Sequence, residues 1–449
     1  MGIIEFILYP FYVAFFYFVF RAQRNNYTDP VLKYYHVHGF WIKVLTALLF
    51  AFFNWKLSRG DSFVLYHIEG KNIYDLVLKD FSNIKWIGVR GENFDETLLR
   101  DPWNKGYLKG EANFMVVRFV AIISFFTLGK YLLTNLVFSL IAFTGTWKLF
   151  LFFYAQYPHL HRKLAIAILY LPTFIFWSSG IVKDSICITA MGWITYSLYQ
   201  IFFKKRDIAK SIFFTLVFGY FLWVIKPYIL ISYIPFLVLF LILKNVNLVN
   251  SMVLKLILTP SLIIGSIFAF IFTMNQLNDE LGKYASDNLA NNIKKQAGAF
   301  ESQANLSDEV SSNFSYGIEF DGSLSSLGKL APVAVATTLF RPFIWESKRP
   351  MTILSSLEGL ALIIFTISVF FKAGIKTVFQ TLTKNPLALY CFLFAILFAL
   401  FVGATTLNFG SLCRYKIPCM PFYVIAIFLI QDAAAQKKES LLKIKQVEV

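Results

Sequence analysis

Residues 134–155 read TNLVFSLIAFTGTWKLFLFFYA, a run with one charged residue, Lys148. As an α-helix it measures about 33 Å at roughly 1.5 Å per residue, enough to cross about 30 Å of hydrocarbon. Ten more apolar runs lie near 3–20, 40–55, 164–181, 186–203, 210–226, 229–244, 252–273, 352–371, 386–403 and 417–432. Composition agrees with that pattern. Apolar residues make up 57% of the 449-residue chain and charged residues 15%, against about 45–50% and about 25% in soluble proteins. A soluble enzyme, a disordered regulator and a disulfide scaffold are excluded. The expected fold is an all-α polytopic membrane protein of about 11 transmembrane helices.

The net charge of +16 is unevenly placed. Two polar stretches, 56–113 and 275–350, hold 18 of the 26 acidic residues and 16 of the 42 basic ones. Of the remaining basic residues, 19 (Arg21, Arg24, Lys33, Lys43, Arg162, Lys163, Lys204, Lys205, Arg206, Lys210, Lys244, Lys255, Lys372, Lys376, Lys384 and Lys437, Lys438, Lys443 and Lys445 of the tail) fall on one side if all eleven runs span. That side reads as cytoplasmic by the positive-inside rule. Both long loops then face outward, the N-terminus lies outside and the C-terminus inside. Nucleic acid is not an expected partner; the basic ends suit anionic membrane lipids.

Segment 114–130, FMVVRFVAIISFFTLGK, has only 11 residues between Arg118 and Lys130, too few to cross as a helix. It reads as interfacial or re-entrant; if it spans, loop 56–113 moves to the cytoplasm. The chain therefore divides into N-terminal transmembrane helices (1–55), a first outer loop (56–113), a transmembrane core with the interfacial segment (114–274), a second outer loop (275–350), and C-terminal helices with a basic tail (351–449). The opening run has no basic n-region or small-residue cleavage site, so it reads as an uncleaved span. The cysteines, Cys187, Cys391, Cys413 and Cys419, show no metal spacing; Cys413 and Cys419 are close enough in sequence to pair, though buried apolar thiols are the simpler reading. The chain contains no GxxxxGK[ST], GxGxxG or HExxH, and its connections are too short for a nucleotide-binding domain. No metal and no cofactor are expected.

The first long loop opens NWKLSRGDSFVLYHIEGKNIYDLV (54–77). Asp61 follows a glycine turn at the end of a span. It reads either as a cap of the next helix, with Ser62, or as a carboxylate placed to deprotonate a hydroxyl at the membrane surface. Tyr66, Glu69 and Ile73 share a face at i+3/i+4 spacing. Cations recur at the outer ends of spans, among aromatic residues: Lys183 with Asp184 in PTFIFWSSGIVKDS (172–185), and Lys226 in LWVIKPYI (222–229). Others are Arg341 and Glu346 in ATTLFRPFIWESKRP (336–350), and Arg414 and Lys416 in NFGSLCRYKIPCMPF (408–422). Interfacial anchoring explains each singly. As a set against the positive-inside bias, they suit a phosphate or diphosphate at the lipid surface, for which arginine offers a two-pronged fork. Glu358 lies within a span, where a carboxylate marks a functional site by default.

These residues together resemble the GT-C superfamily of membrane glycosyltransferases, which take sugars from polyprenyl-phosphate carriers. The shared features are the polytopic core, a large first outer loop opening with Gly60-Asp61-Ser62 and Tyr66, and an Arg-Tyr-x-x-Pro-x-x-Pro element (Arg414, Tyr415, Pro418, Pro421). FWSSGIVKDS is similar to stretches in bacterial sugar-polymer membrane proteins. The resemblance implies a bacterial inner-membrane enzyme with a polyprenyl-phosphate-linked sugar as donor and a glycan, lipid or protein acceptor. By position it makes Asp61 the general base and Arg414 a phosphate ligand. Charge placement adds Lys183, Lys226 and Arg341 to the candidate substrate-binding set, with Tyr66, Glu69, Asp184, Glu346 and Lys416 beside them. Many members carry a second acid near the first in this loop; here Ser62 follows, and the next acid is Glu69. Two other readings stand: an O-antigen-type polymerase or ligase, which relies on arginines, and a non-enzymatic transporter or assembly protein.

Overall fold

The computed structural model describes residues 1–58, 60–245, 257, 260, 261, 264, 265, 268, 314, 316 and 324–447. Regular structure is helical, with no strand among the described residues. The chain packs as two units, Met1–Pro227 and Tyr228–Val449.

In the first unit the helices are α1 (Ile3–Asn25), α2 (Pro30–Phe52), α3 (Ile68–Lys79), α4 (Glu111–Thr127), α5 (Tyr131–Gln156), α6 (His161–Leu169), α7 (Pro172–Trp177), α8 (Lys183–Tyr199) and α9 (Ile208–Ile225). Asp29 accepts a hydrogen bond from the Val31 amide (2.8 Å) and Pro30 occupies the first turn, a strong helix start. The span therefore runs from Pro30 to Ser58. Lys43, which the charge pattern places in a cytoplasmic connection, lies mid-helix instead and is buried. The residues 30–39 are too aromatic and polar to register as part of an apolar run.

Helix α5 is central, packed by α2 and α8. A side chain at Gly192 would place its Cβ 1.9 Å from the Gly145 carbonyl oxygen, and one at Gly145 would lie 2.3 Å from the Thr189 backbone. The two helices cross in backbone contact, which only such small residues allow.

The run 164–181 is not one spanning helix. It is divided into α6 of nine residues and α7 of six, broken where Pro172 follows Leu171. Proline lacks the N–H that would continue the helix and pushes its predecessor out of helical geometry. Segment 114–130 forms most of α4, packed on α3, α5 and α9. Its Arg118 turns back to donate to the carbonyls of Ile87 and Val89, both at 2.7 Å, and to Glu111 at 3.0 Å. That ties α4 to the preceding polar stretch.

The second unit contains α10 (Pro227–Asn245), α11 (Leu324–Phe340), α12 (Pro350–Ala373), α13 (Ile375–Lys384), α14 (Pro386–Thr405), α15 (Phe409–Tyr415) and α16 (Met420–Val447). Helix α11 packs on α14, which packs on α16. Thr338 Oγ1 donates to the Ala399 carbonyl (2.7 Å) across the α11–α14 contact. This helix falls inside the stretch read from sequence as the second outer loop. Its apolar part, Gly328–Phe340, is short and rich in alanine and threonine, so it does not stand out as a run.

Eight of the described helices are long and apolar enough to cross a membrane, or nine if Phe409–Tyr415 and Met420–Ser440, bent by 64°, form one span. The chain is a multi-pass membrane protein. Of the eleven expected spans, 164–181 is divided and 252–273 lies outside the described residues but for a few isolated positions.

Candidate functional site

The first polar stretch is a folded helical body rather than an open loop. Asp80, Asp95 and Asp101 each accept from the amide two residues on, all at 3.0 Å, and so start short 3₁₀ turns. Hydrogen bonds from Ser82 and Thr97 hold the Asp80 and Asp95 carboxyls below the usual range. Glu69, almost fully buried, accepts from the amides of Arg100 (3.1 Å) and Asp101 (3.0 Å) and from Asn104 Nδ2 (2.8 Å). Both of its oxygens are committed to holding the stretch 100–104. Tyr66 is buried and donates to Asn113 (3.1 Å).

Asp61 is exposed and precedes the π-helical turn Ser62–His67 without capping it through its side chain. The expected cap by Asp61 is therefore absent. Ser62 pairs with the Tyr131 hydroxyl instead (3.0 Å). Of the four residues, only Asp61 presents its side chain to solvent.

A second polar cluster surrounds the non-helical turn between α7 and α8. Backbone at 178–182 is fully enclosed, so each of its polar groups needs a protein partner. Asn135 supplies three bonds: Nδ2 donates to the carbonyls of Ala47 (2.9 Å) and Ser179 (3.2 Å), and Oδ1 accepts from the Ile181 amide (3.2 Å). The Lys43 ammonium donates to the Ser178 carbonyl (3.0 Å), to Ser179 Oγ (3.2 Å) and to Ser178 Oγ. No carboxylate lies within ion-pair distance of it among the described residues. Gly180 meets the ring of Phe50, which a Cβ would approach to 1.9 Å. At the start of α8, Asp184 forms a buried ion pair with Lys226. The structure thus joins the predicted Asp184 and Lys226, with Lys183 beside Asp184 in sequence and half-buried. Sequence reasoning missed Lys43 and Asn135; a charge in the middle of a longer α2 is the signal that would have found the first.

In the second unit, α11 and α12 enclose an open cleft of about 700 Å³, within the roughly 300–1,000 Å³ of ligand pockets. Val333, Ala336 and Phe340 wall one side, Ile363 and Ile367 the other; Arg341, Trp345 and Glu346, which follow the end of α11, also line it. Arg341 and Glu346 form a two-pronged ion pair, with Nε 3.1 Å from both carboxylate oxygens and Nη2 on Oε1. The Phe343 amide also donates to Glu346 (2.8 Å). Burial pushes the Glu346 carboxyl up, but these hydrogen bonds and the Arg341 charge outweigh it and hold it below its ordinary value. The guanidinium carbon lies 4.8 Å from the ring centre of Phe314 and 5.0 Å from that of Phe409, cation–π distances. Lys416, fully buried, donates to the Arg341 carbonyl (3.2 Å). The structure therefore brings Arg341, Glu346 and Lys416 together. Arg414 is half-buried on α15, and Glu358 is buried on α12. All four cysteines are buried and none forms a disulfide among the described residues, including Cys413 and Cys419.

Comparison with protein-family models, with curated proteins and with solved structures gives no match.

Proposed function

We propose that this protein is an integral membrane glycosyltransferase that moves a sugar from a polyprenyl-phosphate carrier to an acceptor at the outer face of a bacterial inner membrane. The observation that carries the reading is the open α11–α12 cleft, whose largely apolar lining includes an arginine. An isoprenoid chain suits the walls and a phosphate suits the guanidinium fork. In the reaction the acceptor hydroxyl loses its proton to a carboxylate, and its oxygen bonds to the anomeric carbon. The bond from that carbon to the phosphate oxygen breaks, and Arg341 stabilises the departing phosphate. The resemblance alone makes Asp61, exposed in the first unit, the candidate for that base.

The test is complementation of a null strain with wild type, Asp61→Asn and Arg341→Ala at matched membrane abundance, read by mass spectrometry of envelope glycans. Wild type should restore a missing sugar and both variants should fail. Restoration by Asp61→Asn but not by Arg341→Ala favours the polymerase reading. Unchanged glycans in the null strain contradict sugar transfer altogether. A transport reading draws on one observation, the short helices α6 and α7 ending in a buried polar turn, since broken helices build substrate sites in transporters; it predicts unchanged glycans.

A further inference from the structure

Arg341 faces the cleft with part of its hydrogen-bonding edge already used. Nε and Nη2 are held by Glu346, whereas Nη1 makes no hydrogen bond to any described residue. A guanidinium binds a carboxylate and a phosphate through the same parallel N–H pairs. Glu346 therefore occupies the place that two phosphate oxygens would take. Both side chains are about one-fifth exposed, 21% for Arg341 and 18% for Glu346, so the pair is reachable from the cleft. The arginine is fixed by other means as well: Phe314 and Phe409 flank it, and Lys416 holds its carbonyl. Glu346 sits on a single turn, Ile344–Glu346, fastened by the Phe343 amide. One partner of the pair is anchored on several sides and the other on one short turn.

We propose that Glu346 is a latch: a carboxylate placeholder that pairs with Arg341 and is displaced by the phosphate of a lipid whose chain fills the α11–α12 walls. This rests on the reading of the cleft as a lipid-phosphate site. The latch discriminates, because a small anion gains only the exchange of one ion pair for another, whereas an amphiphile adds burial of its chain. It also limits how tightly the phosphate is held. Sugar transfer converts a phosphodiester into a more highly charged monoester, and the returning carboxylate assists release of that product.

The experiment uses the full-length protein in detergent, with farnesyl phosphate as probe and farnesol and lysophosphatidic acid as comparators, read by calorimetry. Wild type should prefer farnesyl phosphate to farnesol, and Arg341→Ala should remove the preference. Glu346→Gln should tighten farnesyl phosphate roughly two- to fivefold, the scale of a partly exposed ion pair, and leave farnesol unchanged. Glu346→Ala, which truncates the same carboxylate, should tighten it too and guards against an effect peculiar to the amide. If wild type prefers the phosphate through Arg341 but neither Glu346 variant tightens it, the latch is wrong and the phosphate cleft stands. If wild type does not distinguish farnesyl phosphate from farnesol, the cleft reading falls and the latch with it. If lysophosphatidic acid shows the same dependence on Arg341 and Glu346, the latch holds and the occupant is assigned to membrane phospholipid.

Discussion

Lys226 and Asp184 leave only 7% and 0% of their side-chain surface exposed, where desolvation rivals the attraction between the two charges. Removing one partner leaves a charge without its counterion in a dry interior. Lys226→Met or Asp184→Asn alone should therefore destabilise the protein by roughly 3–5 kcal/mol, and the double variant by less than the sum. Heating in detergent followed by size-exclusion chromatography measures this; an additive double variant would show that the pair is not coupled. Sequence reading placed both residues among substrate-binding candidates, because a lysine at the end of an apolar run looks the same whether it faces a ligand or an aspartate 42 residues away. Arg341 and Glu346, five residues apart and bracketing Pro342, were legible as one charged cluster for the opposite reason: chain proximity brings them together.

Among the elements, the first polar stretch carries the clearest dependence on pH. His67 is buried against Phe63 and Tyr131, and burial, with the nearby charges of Lys71, the amino terminus and Arg100, lowers its pKa to about 3. The unfolded imidazole takes a proton near pH 6.5. Above that value the residue is neutral in both states and costs nothing. Between 6.5 and about 3 only the unfolded state binds the proton, so stability falls as pH falls. At pH 5 the loss is about 2 kcal/mol. Protection factors in α3, which are corrected for the pH dependence of intrinsic amide exchange, should fall on acidification from pH 7 to pH 5, and His67→Phe should flatten the change; equal acid sensitivity in the variant would assign the effect to other groups. This stretch looked from sequence like a solvated charged loop. Glu92 does lie exposed beside Arg90, but Asp80, Asp95 and Asp101 are turn starters and Glu69 is an internal acceptor. Alternation of charge reveals neither, since both depend on which amide each carboxylate meets.

At the scale of the whole molecule, hydropathy and the distribution of charge were enough to read a multi-pass helical protein, because twenty apolar residues in a row have few other uses. They failed where a proline split a run at Pro172, where small residues disguised α11, and where α2 began at Pro30 among polar aromatics. The two candidate centres differ in kind. The turn at 178–182 has its polar groups largely satisfied internally by Lys43 and Asn135, whereas the α11–α12 cleft is open and largely apolar with a charged pair in its lining. That contrast makes the second unit the place to look for substrate. The most direct test is photo-crosslinking of the full-length protein with a benzophenone-bearing isoprenyl phosphate, mapped by peptide mass spectrometry. The account predicts labels on 332–346 and 363–367 that are competed by isoprenyl phosphate, not by the free alcohol, and that are lost in Arg341→Ala. Labels elsewhere in the chain, or labels in the cleft indifferent to Arg341, would contradict it.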